Sequence, residues 1–331
     1  MFESLFTHDP RHNQSLWTRS RHNPVVSTAG GDWCRDFLSD STVLELDGQL
    51  AMYVEGSAGG VEQVGLFTAR LGDAAAEHWT PYPGNPIVHA GPEIFDRGSA
   101  FDPAVVRFGG RYLLYYSATK TDAHALAEAL ERGTLDPADV DDGGETIGLA
   151  MSPDGYNFTK WPSNPVMPGR CPHLVEHRGT LYLYFVRIVH DWYRVFLATS
   201  ADGFTFTEVT DNPVLSVGES ASWDALTVTT PKIFAEDGKF YMLYAGGRAS
   251  LDDPTGIGLA MSDDLVHWTK FPGNPIFTVG PAGTFDSASV ASPILRQCSD
   301  GYYLFYAGSD RSIKDGLHSQ VGVAALRIRS A

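Results

Sequence analysis

Along this chain of 331 residues a short apolar run, a Gly-containing turn and an aromatic-rich run recur as a unit. Two examples are AVVRFGGRYLLYYSA at 104–118 and KIFAEDGKFYMLYAGG at 232–247. Such runs predict antiparallel hairpins with a buried face. Each is followed by a small-residue run, a Ser-Asp or Asp-Gly turn and a second aromatic run, as in IGLAMSPDGYNFTKW at 147–161, VFLATSADGFTFTEV at 195–209 and IGLAMSDDLVHWTKF at 257–271. The unit therefore holds four short strands. Asn-Pro followed by two apolar residues marks it five times, at Asn23, Asn85, Asn164, Asn212 and Asn274, with spacings of 62, 79, 48 and 62 residues. Repeats of this length and content predict an all-β, five-bladed β-propeller with four-stranded antiparallel blades, a single domain over 1–331. The last unit ends in VGVAALRI at 321–328, one strand short, so the N-terminal segment around Asn23–Val26 is expected to supply the missing strand and close the ring.

One stretch breaks the period. Between about 119 and 145, AHALAEALERG has helical composition and DPADVDDGGE follows as an acidic loop, which accounts for the 79-residue interval. This insertion joins the second and third strands of blade 2, on the face where the innermost strands begin, and is expected to form a lid or cleft wall. Composition narrows the partners. A formal net charge of −16 repels phosphate backbones and anionic lipid, which excludes nucleic acid and membrane surfaces as partners. The first residues, MFESLFTHDPRHNQSLW, lack the basic and apolar regions of a signal peptide, and no run of eighteen apolar residues occurs, so a cytoplasmic protein is expected. Cys34, Cys171 and Cys298 are far apart and read as ordinary thiols, and no Cys/His spacing predicts a metal site or cofactor.

Innermost strands of a propeller converge on the axis at their starts. Aligning WCRDFLSDSTVL, FDRGSAFDPAVV, GRCPHLV, WDALTVTTPKIF and FDSASVASPIL gives a column of Asp40, Asp102, Cys171, Thr230 and Ser292. Two carboxylates on adjacent blades are what acid/base chemistry on a glycoside needs, so Asp40 and Asp102 are the leading catalytic pair. The second aspartates, Asp96, Asp224 and Asp286, recur after an aromatic residue and read mainly as loop architecture, with Asp224 kept as a site candidate. Loops reaching the same face carry Glu55, Arg187, His190, Asp191, Trp192 and Arg248, a mixture suited to a small polar carbohydrate.

The five-blade pattern with Asp40 and the FDPAVV motif around Asp102 resembles the five-bladed glycoside hydrolases of families 43, 32, 68 and 117. The resemblance covers nearly the whole chain. It implies Asp40 as base, Asp102 as modulator of pKa and orientation, and an acid from blade 3, where those families carry Glu. Here the motif reads Arg170-Cys171-Pro172-His173, and a guanidinium does not donate a proton near neutral pH. His173 is then the nearest replacement acid, as in family 117, with Glu176, Glu55, Asp191 and Asp224 as substitutes. Arg170 suits an anionic group held by a bidentate fork. The resemblance also implies a Ca²⁺ ion on the axis, as in some family 43 relatives, although no ligand set in the sequence points to one. The function expected is hydrolysis of a small glycoside such as an arabinofuranoside, xyloside or fructoside. The alternative is a divergent propeller that binds a carbohydrate or anionic metabolite, or serves a biosynthetic reaction. Ser-x-Asp-Gly turns are similar to those of sialidases, but five repeats argue against a six-bladed fold.

Overall fold

The structure is a computed structural model and describes residues 2–73, 75–120, 145–189, 192–312 and 315–327. The helical part of the expected insertion lies outside these residues, as do His190 and Asp191. The long strands form five antiparallel meanders in chain order. The first is Phe37–Leu46, Gln49–Ala58 and Val61–Arg70; the second is Ser99–Phe108, Arg111–Thr119 and Glu145–Ser152. The third is Arg170–His177, Thr180–Val189 and Trp192–Ser200; the fourth is Thr227–Glu236, Lys239–Gly247 and Gly256–Ser262. The fifth is Ser289–Cys298, Gly301–Ser309 and Ser319–Arg327. The fold is all-β, and no described helix is long and apolar enough to cross a membrane.

A two-residue strand completes each meander on its outer side: Thr80–Pro81, Thr159–Lys160, Thr207–Glu208 and Thr269–Lys270 for the first four. For the fifth the partner is the N-terminal Thr18–Arg19, where Thr18 lies opposite Ala325, and Val26 bridges Val321 nearby. All five short strands begin with Thr, and Asn-Pro follows five residues later each time. The side-chain amide explains the repeat. Asn85 accepts from Leu66 N and donates to Leu66 O, and Asn164, Asn274 and Asn23 do the same to Leu149, Leu259 and Val323. The amide thus extends strand pairing past the point where the backbone turns away. Asn212 departs from the pattern, its backbone N–H going to Thr210 Oγ1.

First strands pack on one another in succession: Phe37–Leu46 on Ser99–Phe108, then Arg170–His177, Thr227–Glu236 and Ser289–Cys298, which packs back on Phe37–Leu46. Apolar clusters fill the space between neighbouring meanders. The cluster between the first and second holds Tyr53, Leu66, Leu114 and Tyr116, and the one between the fourth and fifth holds Tyr241, Leu259, Leu304 and Tyr306 together with Phe2, Phe6 and Trp17 of the N-terminal segment. A buried Tyr needs a partner for its hydroxyl. Tyr53, Tyr115 and Tyr184 each donate to a carbonyl in the outer turn of the next meander, at Gly155, Gly203 and Leu265. Among the described residues no such turn follows the fifth meander, and Tyr241 donates to Glu3 of the N-terminal segment.

Candidate active site

All five first strands carry a register shift at the same place, at Leu38/Ser41, Phe101/Ala104, Arg170/His173, Thr229/Lys232 and Ala291/Ile294. At four of these bulges the first residue has a left-handed backbone: Asp102 (φ 48°), Cys171 (φ 49°), Thr230 (φ 44°) and Ser292 (φ 51°). A non-Gly residue there costs on the order of 1–3 kcal/mol, and a bulge re-aims its side chain. Four repetitions of a costly conformation around one axis mark the place where the fold gives up stability for position. In the first strand the counterpart is Ser39, not the expected Asp40, because the shift between Leu38 and Ser41 puts Asp40 level with Pro103.

These residues open into a cavity of about 350 Å³ lined by Glu55, Glu62, Asp102, Arg170, Tyr193 and Asp252 among others. Asp102 is 4% exposed. Its Oδ2 accepts from Ser117 Oγ at 2.8 Å, from Cys171 N at 3.3 Å and from Cys171 Sγ at 3.3 Å. Its Oδ1 accepts no hydrogen bond from any described residue, so one oxygen is anchored and the other left for what occupies the cavity. Glu62 and Glu55 stand on the hairpin of the first meander. Burial, with the charge of Asp102 adding to it, pushes the Glu62 carboxyl up to about 7. Burial raises Glu55 well above the usual carboxylate range, again with Asp102 next in importance. The Glu62 carboxyl is therefore poised between its two protonation states near neutrality.

Arg170 lies among the protein's own acids. Its Nη1 is 3.1 Å from Glu145, donates to Tyr193 Oη at 2.9 Å and lies 4.0 Å from Asp252, while Nε is 3.8 Å from Asp102 Oδ2. Phe101 and Tyr193 present ring faces to the guanidinium at 5.5 and 5.3 Å. The fork expected to receive an anion is thus already engaged from several sides.

Asp40 is 1% exposed and is not among the residues lining the cavity. Its Oδ1 meets the buried ammonium of Lys232 at 2.7 Å, and its Oδ2 has no partner. Burial raises its carboxyl to about 6; Lys232 opposes this and Asp102 adds to it. Oxygens of Asp40 and Asp102 and the sulfur of Cys171 lie within 4.8 Å of one another. This trio does not fit the Ca²⁺ implied by the resemblance. That ion wants six to eight oxygens, whereas here one ligand is a thiol whose ionisation burial suppresses, and the Lys232 ammonium already neutralises Asp40.

His173 faces elsewhere. It lines a second cavity of about 140 Å³ with Lys232, Thr42 and Ile233, and its Nε2 is 3.3 Å from Ile233 O. Burial, with Lys232 adding to it, pushes the imidazole down to about 3, so it carries no dissociable proton for an acid's role at neutral pH. Arg187 pairs with Glu208 and lies over Phe185 and Phe196. Trp192 is 38% exposed and stacks with Arg194, and Arg248 is exposed. Glu176 accepts from Gly179 N in its own hairpin. None of these four lines the Asp102 cavity. Asp224 accepts from Tyr244 Oη and Lys270 Nζ, as Asp96 does from Tyr116 and Lys160, and Asp286 from Tyr306 and Arg19. The three aspartates are latches between the loop entering a meander and its short outer strand. Of the residues singled out in the sequence, Glu55, Asp102, Arg170, Cys171, Thr230 and Ser292 line the cavity; Glu62, Glu145, Lys232, Tyr193 and Asp252 were not singled out.

No protein-family model matches the chain, and no curated protein sequence does. Solved structures share its fold. A glycosyl hydrolase from Bacteroides ovatus aligns over 93% of this chain and 92% of its own with a TM-score of 0.69 at 14% identity. A structure described under the GH130 family of mannoside phosphorylases, which contains glycoside hydrolases that target β-1,2-mannosidic linkages in Candida mannan, aligns over 93% of both chains with a TM-score of 0.68 at 15% identity. A thermostable family-43 glycoside hydrolase aligns over 87% of this chain and 89% of its own with a TM-score of 0.61 at 18% identity. At these identities the likeness is one of fold.

Proposed function

We propose that the chain is a five-bladed β-propeller, closed by its N-terminal segment, that hydrolyses a small glycoside in the axial cavity. Closure is supported by Arg19, which takes on Asp286 the place that Lys160 and Lys270 take on Asp96 and Asp224. Hydrolysis is supported by one observation above all: an anchored carboxylate with a free oxygen, Asp102, shares a cavity with Glu62, whose proton is held to about 7. A group with a midpoint near working pH both holds and releases its proton efficiently.

In this mechanism Asp102 Oδ1 takes a proton from water as the water oxygen bonds to the anomeric carbon. Glu62 gives its proton to the glycosidic oxygen as the bond from that oxygen to the anomeric carbon breaks. Asp40, neutralised by Lys232, acts through Asp102 by setting the charge beside it. The acid missing from blade 3 is thus supplied by the first blade, and the product carries inverted configuration. A cavity of about 350 Å³ is at the small end of ligand sites, which suits a mono- or disaccharide unit. The test is leaving-group dependence. Glu62→Gln should slow cleavage of alkyl glycosides by about 10²–10⁴-fold while sparing aryl glycosides with acidic leaving groups. An equal loss on both would remove Glu62 from the acid's role. Binding of sugars by calorimetry with no release from any glycoside would favour a carbohydrate-binding propeller instead.

A further inference from the structure

The reacting carboxyls, Asp102 and Glu62, come from the first two meanders. The first strands of the fourth, fifth and first meanders, which pack on one another in that order, give the cavity a neutral stretch of hydroxyls instead: Thr229, Thr230, Ser292 and Ser39. A serine or threonine hydroxyl both donates and accepts, as the hydroxyls of a sugar do.

Bonds between neighbouring bulges show which of these hydroxyls is open. The N–H of Cys171 is accepted by Asp102 Oδ2 of the preceding first strand at 3.3 Å, and the N–H of Ser292 by Thr230 Oγ1 of the preceding first strand at 3.1 Å. Continued once more, the pattern would give the N–H of Ser39 to Ser292 Oγ. That bond does not form: Ser292 is 1% exposed, yet its Oγ has no partner. Ser39 lacks the left-handed backbone of the other four column residues, which aims its N–H differently. A buried hydroxyl without a partner is unfavourable, and the missing partner belongs to what fills the cavity. Ser39, next to Ser292 in the column, is partly exposed, so the seam between the fifth and first strands is reached from the cavity. A single torsion, χ1, sets where the Ser292 hydroxyl points.

We propose that Ser292, with Ser39 beside it, is the specificity-determining subsite of the cavity, and that its Oγ takes up one hydroxyl of the glycone. The ligand is then a neutral sugar with a free hydroxyl facing the fifth strand, and the same sugar without that hydroxyl is rejected. The proposal rests on the carbohydrate reading above and leaves Asp102 and Glu62 to the reaction.

The experiment is titration calorimetry of the whole chain with glucose, mannose, galactose, xylose, arabinose and fructose, followed by each monodeoxy form of the sugar bound most tightly. In the native chain at least one monodeoxy form should bind about tenfold or more weakly than its parent. Ser292→Gly suits the left-handed backbone and removes the hydroxyl, and Ser292→Ala removes the hydroxyl alone; far-UV circular dichroism checks the fold of both. In each variant the parent should bind about tenfold more weakly and that one deoxy penalty should shrink to about twofold or less, while the penalties at the other positions stay. Parent binding unchanged in both variants, every penalty kept, equal weakening of parent and all deoxy forms, or no sugar bound by the native chain would each overturn the proposal. Selective loss of one penalty with no glycoside cleaved would remove hydrolysis and leave the subsite, whereas cleavage with every penalty kept in the variants would do the reverse.

Discussion

Replacing Lys232 by Met would remove the positive partner of a buried carboxylate and leave a side chain of similar length. Lys232 Nζ lies 2.7 Å from Asp40 Oδ1, and Asp40 Oδ2 has no other partner. Without the ammonium the Asp40 carboxyl has one escape, which is to keep its proton. The cost of that escape follows from linkage. In the native chain the carboxyl ionises at about 6, already above its ordinary value of 3.8 because of burial. Below pH 6 it is protonated with or without Lys232, so the pair contributes little. Above pH 6 the native chain gains from ionising against Lys232 and the variant does not, and the difference grows by about 1.4 kcal/mol per pH unit. Between pH 6 and 8 the variant should therefore lose about 3 kcal/mol relative to the native chain. Changes in packing shift both ends alike. The assay is urea unfolding of both proteins at pH 5.5, 7 and 8. A difference in unfolding free energy that is the same at all three values would refute the argument. The double variant Asp40→Asn/Lys232→Met should lose the pH dependence.

Other outcomes follow from the same geometry. The plot of kcat/KM against pH should fall on the alkaline side near 7 as Glu62 loses its proton, and in Glu62→Gln that limb should disappear. Asp224→Asn and Asp286→Asn should each cost about 1–3 kcal/mol in urea unfolding, because a cation and a Tyr hydroxyl lose a charged partner, while kcat/KM is unchanged. His173→Asn should keep turnover within a few-fold of the native chain, since the imidazole faces the second cavity. Its effect should appear in acid: the native imidazole is held to about 3, so below about 6.5 the unfolded chain takes up a proton the folded one refuses. Stability from this group is therefore lost as pH falls, and the variant should gain on the native chain by up to about 1.4 kcal/mol per pH unit between 6.5 and 3.

The meanders were legible because their markers are local. Asn-Pro recurs where an amide must copy a strand's hydrogen bonds, and the aspartates of the Ser-x-Asp turns accept successive backbone N–H groups, as Asp154 does from Tyr156 and Asn157. Four members of the axial column were legible through the Pro that follows each of them; the first strand has no such Pro, and there Ser39 rather than Asp40 is the counterpart. What the bulges do along the axis was not legible. Asp40 lies one residue past the column, level with Pro103, where Lys232 from 192 residues away meets it, while Asp102 opens to the cavity. Lys232 did leave a trace, as a charge in the otherwise uncharged strand segment TVTTPKIF. His173 follows the bulge that aims Arg170 into the cavity, and it lies further along the axis. Glu62 sits five residues beyond Ser57, its partner across the Gly59-Gly60 turn, and its meaning depends on Asp102 from the next meander. Asp96, Asp224 and Asp286 read mainly as loop architecture from their recurrence, and their bonds to a Tyr and a Lys or Arg show what that architecture is.

The central claim is that Asp102 performs glycoside hydrolysis in the axial cavity. Its most direct test is the release of 4-nitrophenolate from a panel of pentosides, hexosides, fructosides and amino-hexosides by the native chain and by Asp102→Asn. The account predicts turnover of at least one member by the native chain and a loss of about 10²–10⁴-fold or more in the variant, with its circular dichroism unchanged. No release from any member, or equal rates in the two proteins, would contradict it.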